Sequence, residues 1–448
     1  MTASAPRPVL PVLFAGVLME ALDIAMLGPA LPAIRQTFGI DERAAAWVFG
    51  TFVLFNLIGT PLMAKLSDRF GRRAVYVADV ALFALGSVVV AAAPTFSSLL
   101  VGRALQGLAA GGTFPVASAT IGDVYPPERR GRALGLIGAV FGVAFLVGPV
   151  LGGILLLRSW RLLFLVSLPI AAWVIVGSLR RLPGAPTAAR TPFDRAGLAT
   201  LAVALGALAY AMNRIDAAAL GDSLRRPDVW PLLCLAVTLG GAFAAIERRA
   251  ADPIVPLALF RSRPIRIASG LSIGAGLAEA GFIFMPAMLV AALGLSPSRA
   301  AFMLLPLVLA MGTGAPLGGR LLDRVGARLV ALVGTVTLAL GAVIVGEFDA
   351  VPARFYAGST LIGLGLGALL GSVLRYVMLQ AAPARQRGAA QGLVTIFISI
   401  GQLLGSALLG ALIASRQGSL TGYGDAFRFI ALTALLLALA SLRLHRRH

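Results

Sequence analysis

Long apolar runs alternate along the chain with short breaks rich in arginine, proline and glycine. A helix needs about 20 apolar residues at 1.5 Å rise to cross the hydrocarbon core of a bilayer. Fourteen runs have that character, at approximately 11–33, 44–64, 74–93, 98–121, 131–156, 161–180, 196–213, 229–247, 266–292, 299–318, 329–347, 355–380, 388–414 and 425–443. Most of their boundaries carry charge or proline. The pattern predicts an all-α polytopic membrane protein with fourteen transmembrane helices. The first run is read as a helix and not as a signal peptide, because it is long, holds Glu20 and Asp23, and is followed directly by further runs.

The breaks repeat. Lys65-Leu66-Ser67-Asp68-Arg69-Phe70-Gly71-Arg72-Arg73 returns 255 residues later as Arg320-Leu321-Leu322-Asp323-Arg324-Val325-Gly326-Ala327-Arg328, which aligns Asp68 with Asp323, Arg69 with Arg324, Gly71 with Gly326 and Arg73 with Arg328. Arg130-Gly131 with Gly135-Leu136 likewise returns as Arg387-Gly388 with Gly392-Leu393, at an offset of 257. The repeat unit is therefore six helices. Removing two such units leaves the runs 196–213 and 229–247 as an inserted pair, bracketed by Arg/Pro-rich segments. The expected organisation is a six-helix half over 1–182, two linker helices over 183–262 and a second six-helix half over 263–448. Duplicated halves around a central site are how many secondary transporters are built, which makes transport the default function.

Composition agrees. The 448 residues are 58% apolar and 13% charged, whereas a soluble domain is nearer half and a quarter. A net charge of +19 would point to nucleic acid in a soluble protein, but here the arginines sit in the breaks. With the N-terminus inside, cytoplasmic loops and tails hold 25 of the 38 Lys+Arg, external loops 11 and helix interiors two. The positive-inside rule then places both termini in the cytoplasm, and no nucleic-acid partner is expected. Cys234 is the single cysteine, so there is no disulfide framework. The only histidines, His445 and His448, lie at the tail beside Arg446 and Arg447, and no metal site is expected. Lys65 follows Ala64 where a Walker A loop needs glycine, which excludes ATP hydrolysis by that route. A polytopic membrane enzyme lacks its catalytic constellation here, and a sensor lacks a soluble output domain.

The charges inside the runs are the candidate chemistry. Glu20 and Asp23 lie three residues apart and share a helix face. Asp23 sits about 18 Å along the first helix, near the midplane. A charged group there costs roughly 2.5–3.5 kcal/mol on insertion scales, so it is expected to face a cavity, where it can take a proton in one conformation and release it in another. Glu279 occupies a similar depth in the first helix of the second half, where the repeat offset places a counterpart of Asp23. Arg103 lies five residues into the fourth run and cannot deprotonate, so it must pair with an anion, dipoles or water: it either gates the helix-1 carboxylates or snorkels to the external surface. Arg375 is read as snorkelling to the surface, and Asp79 as an interhelical hydrogen bond. Gly148, Pro149, Gly152 and Gly153 allow close backbone approach and a bend in the fifth run. Asp68 stands at a helix end among Arg69, Arg72 and Arg73, where it can cap a neighbouring helix or pair with them as a conformational lock. Asp323, Arg324 and Arg328 repeat that arrangement.

These residues resemble the major facilitator superfamily over essentially the whole chain. Asp68-Arg69-Phe70-Gly71-Arg72-Arg73 is similar to its signature between helices 2 and 3, with Ala64 in place of the usual first glycine. Arg103-Gln106-Gly107 resembles the helix-4 motif associated with proton transfer, and Gly148-Pro149 with Gly152-Gly153 the helix-5 signature of proton antiporters. The fourteen runs, the Leu22-Asp23 and Ala30-Leu31-Pro32 patterns and Asp252-Pro253-Ile254-Val255-Pro256 resemble the fourteen-helix drug/proton antiporter branch. The resemblance implies two six-helix halves of the major facilitator fold and export by alternating access, driven by protons bound at Asp23, with Glu20 or Glu279 sharing the role and Arg103 as gate. It implies a bacterial inner-membrane monomer with no cofactor beyond the proton gradient and the lipid bilayer as its surroundings. The expected substrate is a small lipophilic cation drawn by the acidic lining, contacted by Asn56, Gln106, Tyr210 and Gln391. A dedicated exporter of a lipid or secondary metabolite is the alternative within the same fold.

Overall fold

The computed structural model describes residues 9–125, 136, 140, 143–144, 147–182, 194–216, 219–251, 253–383 and 387–444. Every regular element among them is helical. Residue contacts divide the chain into two compact units. The first comprises Met1–Ala30 and Thr51–Phe193, the second Leu31–Gly50 and Asp194–His448.

The count of fourteen spans is corrected to twelve. Among the described residues, twelve helices are long and apolar enough to cross a membrane. The difference falls on the runs 98–121 and 131–156. The first becomes a helix of 29 residues, Phe96–Val124, whose Arg103, Gln106 and interspersed glycine, serine and threonine bring its mean hydropathy below that of the twelve. In the second, most of 131–146 lies outside the described residues, and the continuous helix described is Val147–Leu156.

In the first unit, α1 (Leu10–Phe38), α2 (Glu42–Phe70), α3 (Arg72–Ala92), α4 (Phe96–Val124), α5 (Val147–Leu156), α6 (Arg161–Leu165) and α7 (Ser167–Arg181) follow in order. The outer ends of α1 and α2 continue into the second unit. α3 packs along α4 and against α6 and α7. Glycine governs the approach of α4 to α2: a Cβ on Gly107 would lie 2.2 Å from the Phe52 carbonyl oxygen, and one on Gly111 2.6 Å from that of Asn56. The second unit holds α8 (Arg195–Arg214), α9 (Leu220–Arg225), α10 (Trp230–Glu247), α11 (Arg263–Ala280), α12 (Met285–Leu293), α13 (Pro297–Phe302), α14 (Leu305–Val325), α15 (Ala327–Gly346), α16 (Pro352–Ala368), α17 (Leu374–Ala381), α18 (Arg387–Ser415) and α19 (Leu420–Ser441). Here α14 and α15 pack on α16, α11 on α18, and α8 and α10 on each other, with α8 also on α18.

The duplication is written in backbone geometry. Gly363 and Gly367, each 256 residues after Gly107 and Gly111, likewise meet backbone carbonyls, those of Leu307 and Met311 in α14, each at 2.2 Å for a built Cβ. Pro61 inside α2 returns as Pro316 inside α14. Gly71, between α2 and α3, has φ 92° and ψ 149°, and Gly326, between α14 and α15, has φ 81° and ψ 164°. That region is essentially restricted to glycine, so both sharp turns need it.

The tip of the first hairpin is tied down within the second unit. Asn213 of α8 accepts a hydrogen bond from Trp47 Nε1 at 3.3 Å and donates to the carbonyls of Arg43 at 3.1 Å and Ala407 at 3.4 Å. Arg35 and Glu42 pair at 2.6 Å across the turn.

Candidate functional site

A carboxylate, a guanidinium and an amide meet inside the first unit. Asp23 of α1 is 4% exposed, and Arg103 and Gln106 of α4 are fully buried. Arg103 Nη1 donates to Asp23 Oδ2 at 2.6 Å and to Gln106 Oε1 at 2.9 Å. Gln106 Nε2 in turn donates to Asp23 Oδ1 at 3.0 Å and to Ser87 Oγ of α3 at 2.9 Å. The three side chains form a closed ring in which both Asp23 oxygens are satisfied and the amide can point only one way. Ser167 Oγ, at the start of α7, lies 2.9 Å from Ser87 Oγ. The Arg103 guanidinium lies 4.5 Å from the centroid of the Phe52 ring and 5.9 Å from that of Phe164. Aromatic faces attract a desolvated cation.

Local sequence builds this ring. Arg103 and Gln106 are one turn apart and share a face of α4. Glycines on both helices let that face press on α3: a Cβ on Gly86 would lie 2.8 Å from Gln106 Cγ and from the Gly102 carbonyl oxygen. A buried ion pair holds only when its remaining donors and acceptors are also met; Gln106 does that for the second Asp23 oxygen, and Ser87 accepts from the same amide. An added proton on Asp23 removes the charge that Arg103 pairs with. The ring is therefore a place where a proton and a guanidinium compete for one carboxylate.

The other expected residues fall in several places. Glu20, one turn before Asp23, is buried, and its Oε1 makes no hydrogen bond. Asp79 of α3 departs from the interhelical hydrogen bond expected of it: it is fully buried and neither of its oxygens has a partner. Glu279 of α11 has Gln402 of α18 as its hydrogen-bonding neighbour. It lies 256 residues after Asp23, but the same offset from Arg103 and Gln106 leads to Ser359 and Ile362, so those positions hold no counterpart of the ring. Gly148 and Gly152 of α5 face α1, a Cβ on Gly148 falling 2.5 Å from that of Ala25. Pro149 and Gly153 are buried beside them.

At the duplicated loops, the Asp68 and Asp323 side chains lie outside the described residues. Arg72 Nε donates instead to Asp123 Oδ2 at the end of α4, 3.0 Å away, and its Nη1 to Ser67 Oγ at 2.6 Å. Arg73 Nη1 reaches the Leu179 carbonyl at 3.4 Å. Arg69 stands over the Phe70 ring, and Arg324 is exposed. Of the expected substrate contacts, Gln106 alone joins the ring. Asn56 is half-buried, and its carbonyl accepts from Thr60 at 2.9 Å. Tyr210 accepts from Arg214 at 2.5 Å and leans on Trp47, and Gln391 binds the Arg375 carbonyl at 2.8 Å. Ser87, Ser167, Phe52, Asp123 and Asn213 are contributions that the sequence did not flag.

Comparison with known proteins agrees with this architecture. Residues 13–294 and 269–448 match the family described as Major Facilitator Superfamily. The chain is 32% identical over 407 residues to the uncharacterised MFS-type transporter YfiU of Bacillus subtilis (strain 168), covering 89% of this chain and 78% of that protein. It is 31% identical over 419 residues to the tetracenomycin C resistance and export protein of Streptomyces glaucescens, covering 92% and 77%. Among solved structures, the fold is similar to that of the peptide transporter POT, with a TM-score of 0.71 at 17% identity over 97% of this chain and 93% of that one.

Proposed function

The chain belongs to the Major Facilitator Superfamily and is a transporter, not an enzyme, and on that premise we propose that it exports lipophilic, drug-like compounds, cations foremost, in exchange for protons. It works in a bacterial inner membrane with both termini in the cytoplasm, as the arginine bias of the loops favours. The observation that carries the proton half of this reading is the ring of Asp23, Arg103 and Gln106. The export half is supported by the tetracenomycin C relative and by the helix-5 glycine-proline pattern.

Protonation of Asp23 leaves the Arg103 charge buried without its anion, a change worth about 3–5 kcal/mol when one partner of a buried pair is lost. That is enough to reverse the populations of two conformations. Arg103 then turns to the aromatic faces of Phe52 and Phe164 or to a newly wetted surface. α4 moves with it, because glycine contacts lock α4 to α2 and α3. Proton release restores the ring and the state described here. A cationic substrate competes with the proton through the same acidic lining, so the two occupy the carriers in turn and exchange follows.

Proteoliposomes loaded with ethidium and given a pH gradient test this. Expulsion that needs the gradient and stops with an uncoupler is the expected result. Gradient-independent leakage, equal to that of empty vesicles, overturns export of such cations.

A further inference from the structure

Below the ring, towards the end of α1 nearer its start, the first unit buries polar atoms that satisfy nothing. Glu20 Oε1 and both oxygens of Asp79 lack hydrogen-bond partners and are closed off from solvent, and the Thr113 hydroxyl lies within bonding reach of the Glu20 carboxyl. The three residues come from α1, α3 and α4, the same helices that make the ring. Glu20 is one turn, about 4.5 Å of helix rise, from Asp23. Thr113 adjoins Glu20, and Asp23 and Asp79 are the charged groups that face it. The space for the Asp79 carboxylate exists because residue 112 is glycine: a Cβ there would collide with Asp79 Oδ2 and with Met63 Cβ of α2. One turn farther along α3, Tyr76 faces both Glu20 and Asp79 and donates its hydroxyl to the Leu13 carbonyl at 3.1 Å. α4 presents Thr113 and Gly112 to the pair, and α2 presents Met63. No cation is among the groups that face it.

A buried carboxylate without cation or donor is costly, and such a group instead takes up a proton. At the ring, by contrast, Asp23 has a cation, the Arg103 guanidinium at 2.6 Å. We propose that Glu20 and Asp79 form a second proton-binding pair that receives the proton from Asp23. Both acids hold a proton in the described state, so the relay begins when Asp79 gives its proton to water admitted at the Tyr76 end. The O–H bond of Glu20 then breaks as one forms at Asp79, and the O–H bond of protonated Asp23 breaks as one forms at the emptied Glu20, so Asp23 regains the charge that Arg103 needs. The orphaned atoms thus form a path along α3 that ends near Tyr76, one turn above the start of that helix. This inference rests on the proton-coupled reading above for the donor, and not for the occupancy of the pair.

The test is made on the full-length protein in nanodiscs and proteoliposomes, with Asp79→Asn, Asp79→Ser and Glu20→Gln. Asparagine is nearly isosteric with the protonated acid, and serine gives a smaller side chain should asparagine fail to fold. Infrared spectra at neutral pH should show a carboxylic-acid C=O band that loses one component in either Asp79 variant and another in Glu20→Gln. A band unchanged by both Asp79 variants shows that Asp79 holds no proton and overturns the proposal. In proteoliposomes, gradient-driven dye expulsion should fall roughly a hundredfold in Asp79→Asn, at the lower end of what a positioned proton-transfer group supplies, while dye exchange without a gradient persists. Expulsion as fast as wild type also overturns it. If wild type itself expels no dye, the export reading fails, and the infrared result still decides whether the pair holds protons.

Discussion

At the scale of single residues, the ring of Asp23, Arg103 and Gln106 sets the chemistry. Arg103→Ala leaves Asp23 buried without its cation and should lower stability by about 3–5 kcal/mol, seen as a fall in the thermal midpoint of the purified protein. Arg103→Lys keeps the charge but not the planar fork or the stacking on Phe52. It should recover folding and lose at least about tenfold in gradient-driven transport, read in the proteoliposome assay. Asp23, Arg103 and Gln106 were legible in the sequence because charged and amide groups inside an apolar run carry a cost that demands a reason. Ser87, Ser167 and Phe52 were not, since serine and phenylalanine are ordinary in such runs and only the fold shows what they touch. Asp79 was misread for a related reason: a carboxyl in a helix implies a partner, and the sequence could not show that Gly112 makes room without supplying one.

At the scale of helices, glycine sets the spacing. A Cβ on Gly107 or Gly363 would meet backbone oxygens at 2.2 Å, so neither helix pair can yield without moving. Gly107→Ala and Gly363→Ala should each cost about 1–3 kcal/mol, with similar shifts in thermal midpoint because the two contacts are repeats. Gly71→Ala should cost about 1–3 kcal/mol through backbone strain and displace Arg72 from Asp123. Replacing Asp123 by Asn tests that pair separately, with little loss of stability expected from a partly exposed ion pair. The repeated loop was legible as a motif, and its two positive-φ glycines now give the motif a cause. The run count was less secure. An apolar run tolerates one arginine and scattered small polar residues, whereas a membrane-crossing helix is judged on the sum, and α4 carries the arginine that makes the site. Its polarity, which removes it from the tally of spans, is what the ring is built from.

At the scale of the whole chain, two similar halves have diverged in chemistry. The glycine contacts, the proline inside the second helix of each half and the helix-2/3 turn recur after 255 or 256 residues. The ring does not: Glu279 stands where Asp23 stands, but serine and isoleucine replace Arg103 and Gln106. Duplication was visible in sequence because turns constrain residue type. The asymmetry of the two carboxylates came only from the structure, which shows which one has a cation. Glu279 has Gln402 as its hydrogen-bonding neighbour in place of a cation, and Glu279→Gln should weaken cation affinity while leaving proton exchange in place.

The most direct test of the account follows protons and not substrate. Proteoliposomes carrying an internal pH-sensitive dye are exposed to a transported cation, and the proton movement that accompanies it is recorded for wild type, Asp23→Asn and Glu279→Gln. Wild type and Glu279→Gln should both move protons opposite to the cation, and Asp23→Asn should move none. Proton exchange that survives Asp23→Asn would contradict the ring as the coupling site.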